Sequence, residues 1–525
     1  MKKNIMLYFL VVFVTFSCRK IGPVEITAIK KVTAERTASY YIDPDNGKDS
    51  NAGTSESTAW KTIAKVNATT FQPGNTILLK SGGIWNAQLY PKGSGSATSP
   101  IRISSYGTGA KPKIFLSGTI GAPVYLFNQS NWIIENLEVS NYSATRGDVF
   151  RQGIFIQNTG GGVTSNIIIR NNYVHAVSGS FRYAGFDPHA FGGIAVVTTG
   201  TAGTDRFDNV TIEGNIVEDA GRTGIVVWDN VWEASGHAST NVKVLNNSVK
   251  DIDSDGILIF GCEGALIDHN VANNCGRYRE DGQFNGAAAI WPTRGRNCIT
   301  QFNEAFNTQA LDGNGDGQGF DMDIDSYNFI MQYNYSHDNA GGFMLILDAS
   351  NSVNSIVRYN ISQNDRRTIF NFAGGITPGT MIYNNTIYIK SGLNTNIIDH
   401  AWDDGGGKGD LNQAYYFKNN IVYNQGSGNY IVPGVLGVFG SNTFYGNHPS
   451  GEPADPDKLI ADPLFVSPGN GLNGINTVNG YRLSIGSQAL NSGTLIPDNG
   501  GKDYYGNMVS STALPNRGAY NGNGL

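Results

Sequence analysis

The stretches "NIIIRNNYV" (166–174), "NVTIEGNIV" (209–217) and "NVKVLNNSV" (241–249) share one plan, a short apolar strand that ends in asparagine. The plan returns as "ALIDHNVA" (265–272), "NCITQFNEA" (297–305), "NFIMQYNYS" (328–336), "NSIVRYNIS" (354–362), "TMIYNNTIY" (380–388) and "YYFKNNIVY" (415–423). Aligning them stacks Asn172, Asn215, Asn247, Asn270, Asn303, Asn334, Asn360, Asn385 and Asn420, at steps of 43, 32, 23, 33, 31, 26, 25 and 35 residues. A constant strand core at variable spacing means one repeated coil carrying loops of different length. Asparagines stacked at one turn can bond their side-chain amides to the coils above and below. The expected fold is all-β, a parallel β-helix solenoid with an asparagine ladder.

A second column lies between those strands: "GIFIQ" (153–157), "GIAVV" (193–197), "GIVVW" (224–228), "GILIF" (256–260), "AAAIW" (287–291), "GFDMD" (319–323), "GFMLI" (342–346) and "TIFNF" (368–372). Strand side chains alternate faces. Second positions (Ile154 to Ile369) and fourth positions (Ile156 to Asn371) are almost wholly apolar and are expected to point inward. Third and fifth positions then point out. The fifth reads Gln157, Val197, Trp228, Phe260, Trp291, Asp323, Ile346 and Phe372. Coils lie about 4.8 Å apart, so Trp228, Phe260 and Trp291 form an aromatic stripe leading to Asp323, with Asp321 on the same face.

Outward carboxylates beside aromatic rings point to a saccharide groove. Glycoside hydrolysis uses one carboxylic acid to protonate the leaving oxygen and a second carboxylate to activate water or attack the sugar. Two close carboxylates also raise one another's pKa. Asp321 and Asp323 are the expected catalytic pair, and Asp325 belongs to the turn beyond. His337, entering the next strand, is a candidate substrate contact or proton carrier, with a turn-bonding histidine as the equal alternative. Trp228, Phe260, Trp291, Arg294 and Arg279 are candidate substrate contacts; Arg279 sits in the long loop "CGRYREDGQFNG" (275–286), and Arg296 follows Arg294. In "DGNGDGQGFDMD" (312–323), Asp312, Asn314 and Asp316 fall at positions 1, 3 and 5 of a calcium loop, with Asp323 at 12. Calcium binding stays open, and no cofactor is required.

These features resemble the right-handed parallel β-helix proteins of the pectin-lyase-like superfamily, in the form of carbohydrate-active lipoproteins of the Bacteroidetes. "YYIDPDNGKDSNAGTSESTAWKTIAKVNA" (40–68) resembles the opening of such proteins and implies a short N-terminal capping helix around Trp60–Val66. "SPIRISSYGTGAKPKI" and the closing "DNGGKDYYGN…RGAY" fit the same group. The layout implied is a cap at 38–74, the β-helix at 75–450, and a C-terminal cap and tail at 451–525. The superfamily hosts hydrolases, lyases, epimerases and phage adhesins, so the fold does not name the chemistry. A glycoside hydrolase is the leading reading. A polysaccharide lyase or uronate epimerase is the alternative, although such lyases use Lys or Arg as base and the outward columns hold neither. A non-catalytic glycan-binding lipoprotein is the third. The spaced "NTD", "DD", "GHG" and "RIK" motifs of polygalacturonases are absent; "SDG" at 254–256 is a fragment.

Composition sets the setting. The chain has 525 residues, 67 of them Gly, with 15% charged residues and a net charge of −6, which disfavours nucleic acid as a partner. "MKKNIMLYFLVVFVTFSCRK" (1–20) carries two lysines, a short apolar run and a small residue before Cys18. This reads as a signal peptide over 1–17, with Cys18 as the lipidation site and 18–37 as a tether. The expectation is a monomeric outer-membrane lipoprotein, facing the periplasm or the cell surface. Cys262, Cys275 and Cys298 lack zinc-site spacing and are read as buried free thiols.

Overall fold

The computed structural model describes residues 37–182, 187–200, 203–229, 238–278, 286–311, 316–347, 352–373, 379–402, 415–432 and 437–525, and for 401–402 the backbone alone. Cys18, the apolar run and the tether lie outside them. The described strands form three sheets of 17, 13 and 11 strands, and every strand pairing between coils is parallel. The chain is a parallel β-helix.

The asparagine column is the spine. Each Nδ2 donates to the next Oδ1 at 2.9–3.2 Å, from Asn172 through Asn215, Asn247, Asn270, Asn303, Asn334, Asn360 and Asn385 to Asn420. Each Oδ1 also accepts the backbone N–H of the preceding ladder asparagine, as Asn303 does for Asn270 at 2.8 Å. The second amide hydrogen goes to a backbone carbonyl, as from Asn303 to Ile267 at 2.9 Å. The ladder runs one rung further than the sequence repeats, to Asn442, and stops at Asp455, which accepts from both the Asn442 amide and its backbone N–H. A carboxylate has no hydrogen to pass on, so it terminates the chain of donors.

The turn has a cost. The residue before each rung sits in the left-handed region, including Phe302 (φ 53°), Tyr333 (φ 58°) and Tyr359 (φ 51°). Bulky residues are rare there. Their rings stack from coil to coil, Phe302 on Tyr333 at 4.9 Å and Tyr333 on Tyr359 at 5.9 Å, which offsets part of that strain.

Inside, one register column reads Ile154, Ile194, Ile225, Ile257, Ile290, Phe320, Met344, Phe370 and Ile398, all fully buried. This corrects the expected alignment. From one coil onward, two consecutive residues enter the core: Ala289 and Ile290, Phe343 and Met344, Ile369 and Phe370, Ile397 and Ile398. Alternation restarts one residue later, and a one-residue slip exchanges faces. Leu345 and Asn371 therefore point outward, beside Asp321, while Ile346 and Phe372 point inward. Cys262, Cys275 and Cys298 are buried free thiols.

At one end the helix Ile63–Asn67, capped by the Thr62 hydroxyl, buries Ile63 and Val66 against the core beside Trp60. The strand Ser39–Ile42 already pairs with Thr76–Lys80, so the sheet begins ahead of residue 75. At the other end an irregular segment turns back along the coils. Its Gly474 N–H reaches Glu304 at 2.6 Å, and the Asp498 carbonyl accepts from Arg358 at 2.9 Å.

Replacing a central rung tests the spine. Asn303→Leu strands the Asn270 backbone N–H and amide donors and the Ile267 carbonyl, while the backbone N–H of residue 303 still serves the Asn334 oxygen, at about 1–3 kcal/mol for each buried group left unpaired. The urea midpoint should drop sharply, whereas Lys243→Ala, at an exposed strand position, should shift it little.

Candidate active site

The strand Gln318–Met322 carries the site. Phe320 and Met322 anchor it in the core, which aims Asp321 and the following Asp323 at the outer face. Ile290 pairs with Phe320, and Leu258 with Trp291. Trp291 thus lies beside Asp321, one column over from its expected place, and the Trp228–Phe260 stripe continues through Thr293 toward Asp323. These residues line a cleft of about 250 Å³ together with Asp187, His189, Asp255, Arg294, Asp316, Leu345 and Leu347.

One wall is a stack. The rings of Trp228 and Phe260 lie 3.9 Å apart and nearly parallel, His189 follows beside Trp228 at 5.9 Å, and the Arg294 guanidinium sits 5.4 Å over Phe260. Rings on neighbouring coils spend their faces on each other, so the stripe offers edges to the cleft rather than the open platform the sequence implies. Trp291 is fixed differently: its indole N–H donates to Asp255 Oδ1 at 3.1 Å. Asp255 pairs through Oδ2 with Arg222 at 2.8 Å, both side chains being almost fully buried. That pair is compensated in place.

Asp316, Asp321 and Asp323 are not paired with a cation in this way. Burial, with Asp255 and Asp323 nearby, pushes Asp316 up to about 7. Burial raises Asp323 to about 6, against the pull of the Ile324 N–H, His189 and Arg294. Burial and the neighbouring aspartates hold Asp321 well above the carboxylate range. Asp316 Oδ2 and Asp321 Oδ1 have no hydrogen-bond partner among the described residues. Carboxyl groups whose pKa is raised toward neutrality, facing a cleft, are the equipment of acid–base chemistry.

The structure therefore brings together Asp321, Asp323, Trp228, Phe260, Trp291 and Arg294. It adds Asp316, which the sequence offered to calcium. Asp312, Asn314 and Arg279 lie outside the described residues, and among those described no group of three or more His, Cys, Asp or Glu is arranged to hold a metal. His337 is not part of the cleft. It lies on another sheet, in the strand Tyr335–His337, hydrogen-bonded to Glu304 at 3.1 Å and Asp338 at 3.0 Å and stacked between Phe306 and Tyr335. Those two carboxylates raise it to about 9 against the effect of burial, so it is a charged structural residue. Arg296 faces Tyr327. Asp187, His189 and Asp255 were missed; "SDG" was the visible signal for Asp255, and none marked the other two.

Comparison with known proteins agrees with the fold. The family model "Right handed beta helix region" matches residues 101–304. The lacto-N-biosidase of Bifidobacterium longum subsp. longum is 30% identical over 91% of this chain, and the chain spans only 36% of that protein's length. Among solved structures, the GH136 lacto-N-biosidase from Eubacterium ramulus superposes with a TM-score of 0.63 at 24% identity, over 77% of this chain and 68% of that one. XylC, solved with xylose, superposes with a TM-score of 0.53 at 12% identity, over 92% and 98%. The coil is right-handed, as in these structures.

The carboxyl group of Asp316 gives a pH signature. Its folded pKa lies above the unfolded value of about 4, so between about pH 4 and pH 7 the folded chain binds more protons there than the unfolded chain. Stability contributed by this group is therefore lost as pH rises through that window and is flat above it. Asp316→Asn should melt a few degrees above the wild type at pH 8 and level with it at pH 4.

Proposed function

We propose that the chain is a glycoside hydrolase whose working carboxyl groups are Asp316 and Asp323. The observation that carries this reading is two carboxyl groups, raised to about 7 and about 6, opening onto one aromatic-walled cleft. At pH values between these, one proton is shared by a coupled cluster. One group can then donate to the glycosidic oxygen while the other, ionised, activates water or attacks the anomeric carbon. Asp321, proposed from sequence as half of the pair, fits a different part. Burial and the neighbouring aspartates hold its carboxyl well above the usual range, which suits it to a supporting hydrogen-bonding role beside the reacting groups.

The lining also speaks to the substrate. Five aspartates face one arginine, and no lysine lines the cleft among the described residues. That balance disfavours a uronate, and among the described residues no lysine stands in the cleft to serve as a lyase base. We therefore favour a neutral glycan. The likeness to a lacto-N-biosidase over most of this chain supports an oligosaccharide ending in lacto-N-biose, a neutral disaccharide. No cofactor enters this scheme.

Purified protein should release reducing ends from p-nitrophenyl lacto-N-bioside or from a neutral member of a glycan panel, without the absorbance of unsaturated uronates. Asp316→Asn and Asp323→Asn should each lower kcat by on the order of 10²–10⁴-fold, and Asp321→Asn by clearly less. Full activity in both of the first two variants would remove Asp316 and Asp323 as the working pair, and a wild type that releases nothing from any glycan tested would remove the hydrolase reading in favour of a binding protein.

We also propose that the chain is anchored by a lipid on Cys18, on the strength of the lysines, the apolar run and the small residue before it. Cells fed labelled palmitate should label the wild type and not Cys18→Ser.

A further inference from the structure

The cleft holds a histidine that the hydrolysis scheme leaves unused. His189 lies in the short 3-10 helix Pro188–Ala190, and the segment around it is fastened to the sheet. The Thr223 hydroxyl donates to the His189 carbonyl at 2.9 Å. The buried Gln152 amide holds both the Ala190 carbonyl at 3.0 Å and the Gly192 N–H at 2.6 Å. The imidazole is therefore delivered by a fixed backbone. Its ring lies nearly parallel to Trp228, and Trp291 meets it edge-on at 6.1 Å.

The two ring nitrogens have different fates. Nδ1 lies 2.7 Å from Asp187 Oδ1, and the same carboxylate accepts the His189 backbone N–H at 2.9 Å. Burial pushes the Asp187 carboxyl up, but its bonds from His189 outweigh this and hold it below the usual range. Asp187 is thus an ionised acceptor and Nδ1 carries the hydrogen. In the neutral ring this leaves Nε2 as an acceptor. Nε2 has no protein partner among the described residues, and the residue lines the cleft near Asp323.

We propose that His189, oriented by Asp187, contacts the substrate through Nε2, accepting a hydroxyl hydrogen from the sugar bound beside Asp323 and so selecting for that hydroxyl. This rests on the glycan reading of the same cleft. A site built to pair with a hydroxyl discriminates against a sugar lacking it, because the nitrogen covered by the bound sugar is then left unpaired. Asp187 is a positioning residue, since it acts by holding the ring.

Two substitutions separate this from a structural role. His189→Gln places its amide near the Nε2 position; His189→Asn places it near Nδ1, where it keeps the bond to Asp187. The proposal expects His189→Asn to raise KM for p-nitrophenyl lacto-N-bioside by about tenfold or more, with a smaller change in kcat, and His189→Gln to recover most of that loss. Calorimetric binding of free lacto-N-biose should follow the same order, with wild-type melting temperatures. If Asn performs as well as Gln or better, or if neither changes KM or binding, the proposal is overturned. Loss of the melting transition in both variants makes the residue structural and overturns it too. Binding that follows the expected order without cleavage by the wild type removes the hydrolase reading and leaves this one standing. A wild type that neither binds nor cleaves the disaccharide removes both.

Discussion

A buried carboxamide must satisfy two donors and its acceptor oxygen, and the asparagine ladder satisfies every one with another coil. Each rung donates to the rung ahead and to a carbonyl, and accepts from the rung behind. The bonds are short and directional, so they fix the coil spacing and lock the phase of each coil against the next. Nothing about a loop can change that phase, which is why loops of very different length are tolerated between rungs.

Constant phase turns sequence positions into columns, and columns decide the chemistry of the outer face. Side chains at one register position on neighbouring coils must touch. Trp228 meets Phe260 face to face for this reason, and Trp291 comes to stand beside Asp321. The surrounding coils bury Asp316 and Asp321 and partly cover Asp323. Each of the three keeps its proton to a higher pH than an exposed aspartate would. Such a cluster works against folding. The scaffold tolerates it because the coils on either side are held by the ladder and the aliphatic core, which do not depend on the site.

Asp255 shows how the same face carries charge without reactivity. It lies in the same cleft, but Arg222 pairs with it inside the protein and the Trp291 indole takes its other oxygen. Asp187, paired with His189, is compensated too, so two kinds of carboxyl group sit within one cleft. Which kind Asp255 becomes depends on a guanidinium arriving from another coil.

Much was legible in the chain alone. The repeated "strand then asparagine" plan determined the solenoid, the ladder and the inward column of the first coils, Ile154 to Ile257, because period and composition are local properties. It also placed Asp321 and Asp323 on the outer face. Face assignment failed at Leu345 and Asn371, because two consecutive inward residues look like ordinary alternation until the register is seen. His337 looked like a proton carrier, and only packing revealed Glu304 and Asp338 holding it on another sheet. Asp187 and His189 share one short segment and Asp255 belongs to another far along the chain, with no shared motif. Their meeting at one cleft follows from how the two segments stack on fixed coils. Local pattern determined the helix and its phase; the convergence of side chains across coils, and with it the protonation of the site, was decided by the tertiary structure, because burial and neighbouring charge exist only once the coils are stacked.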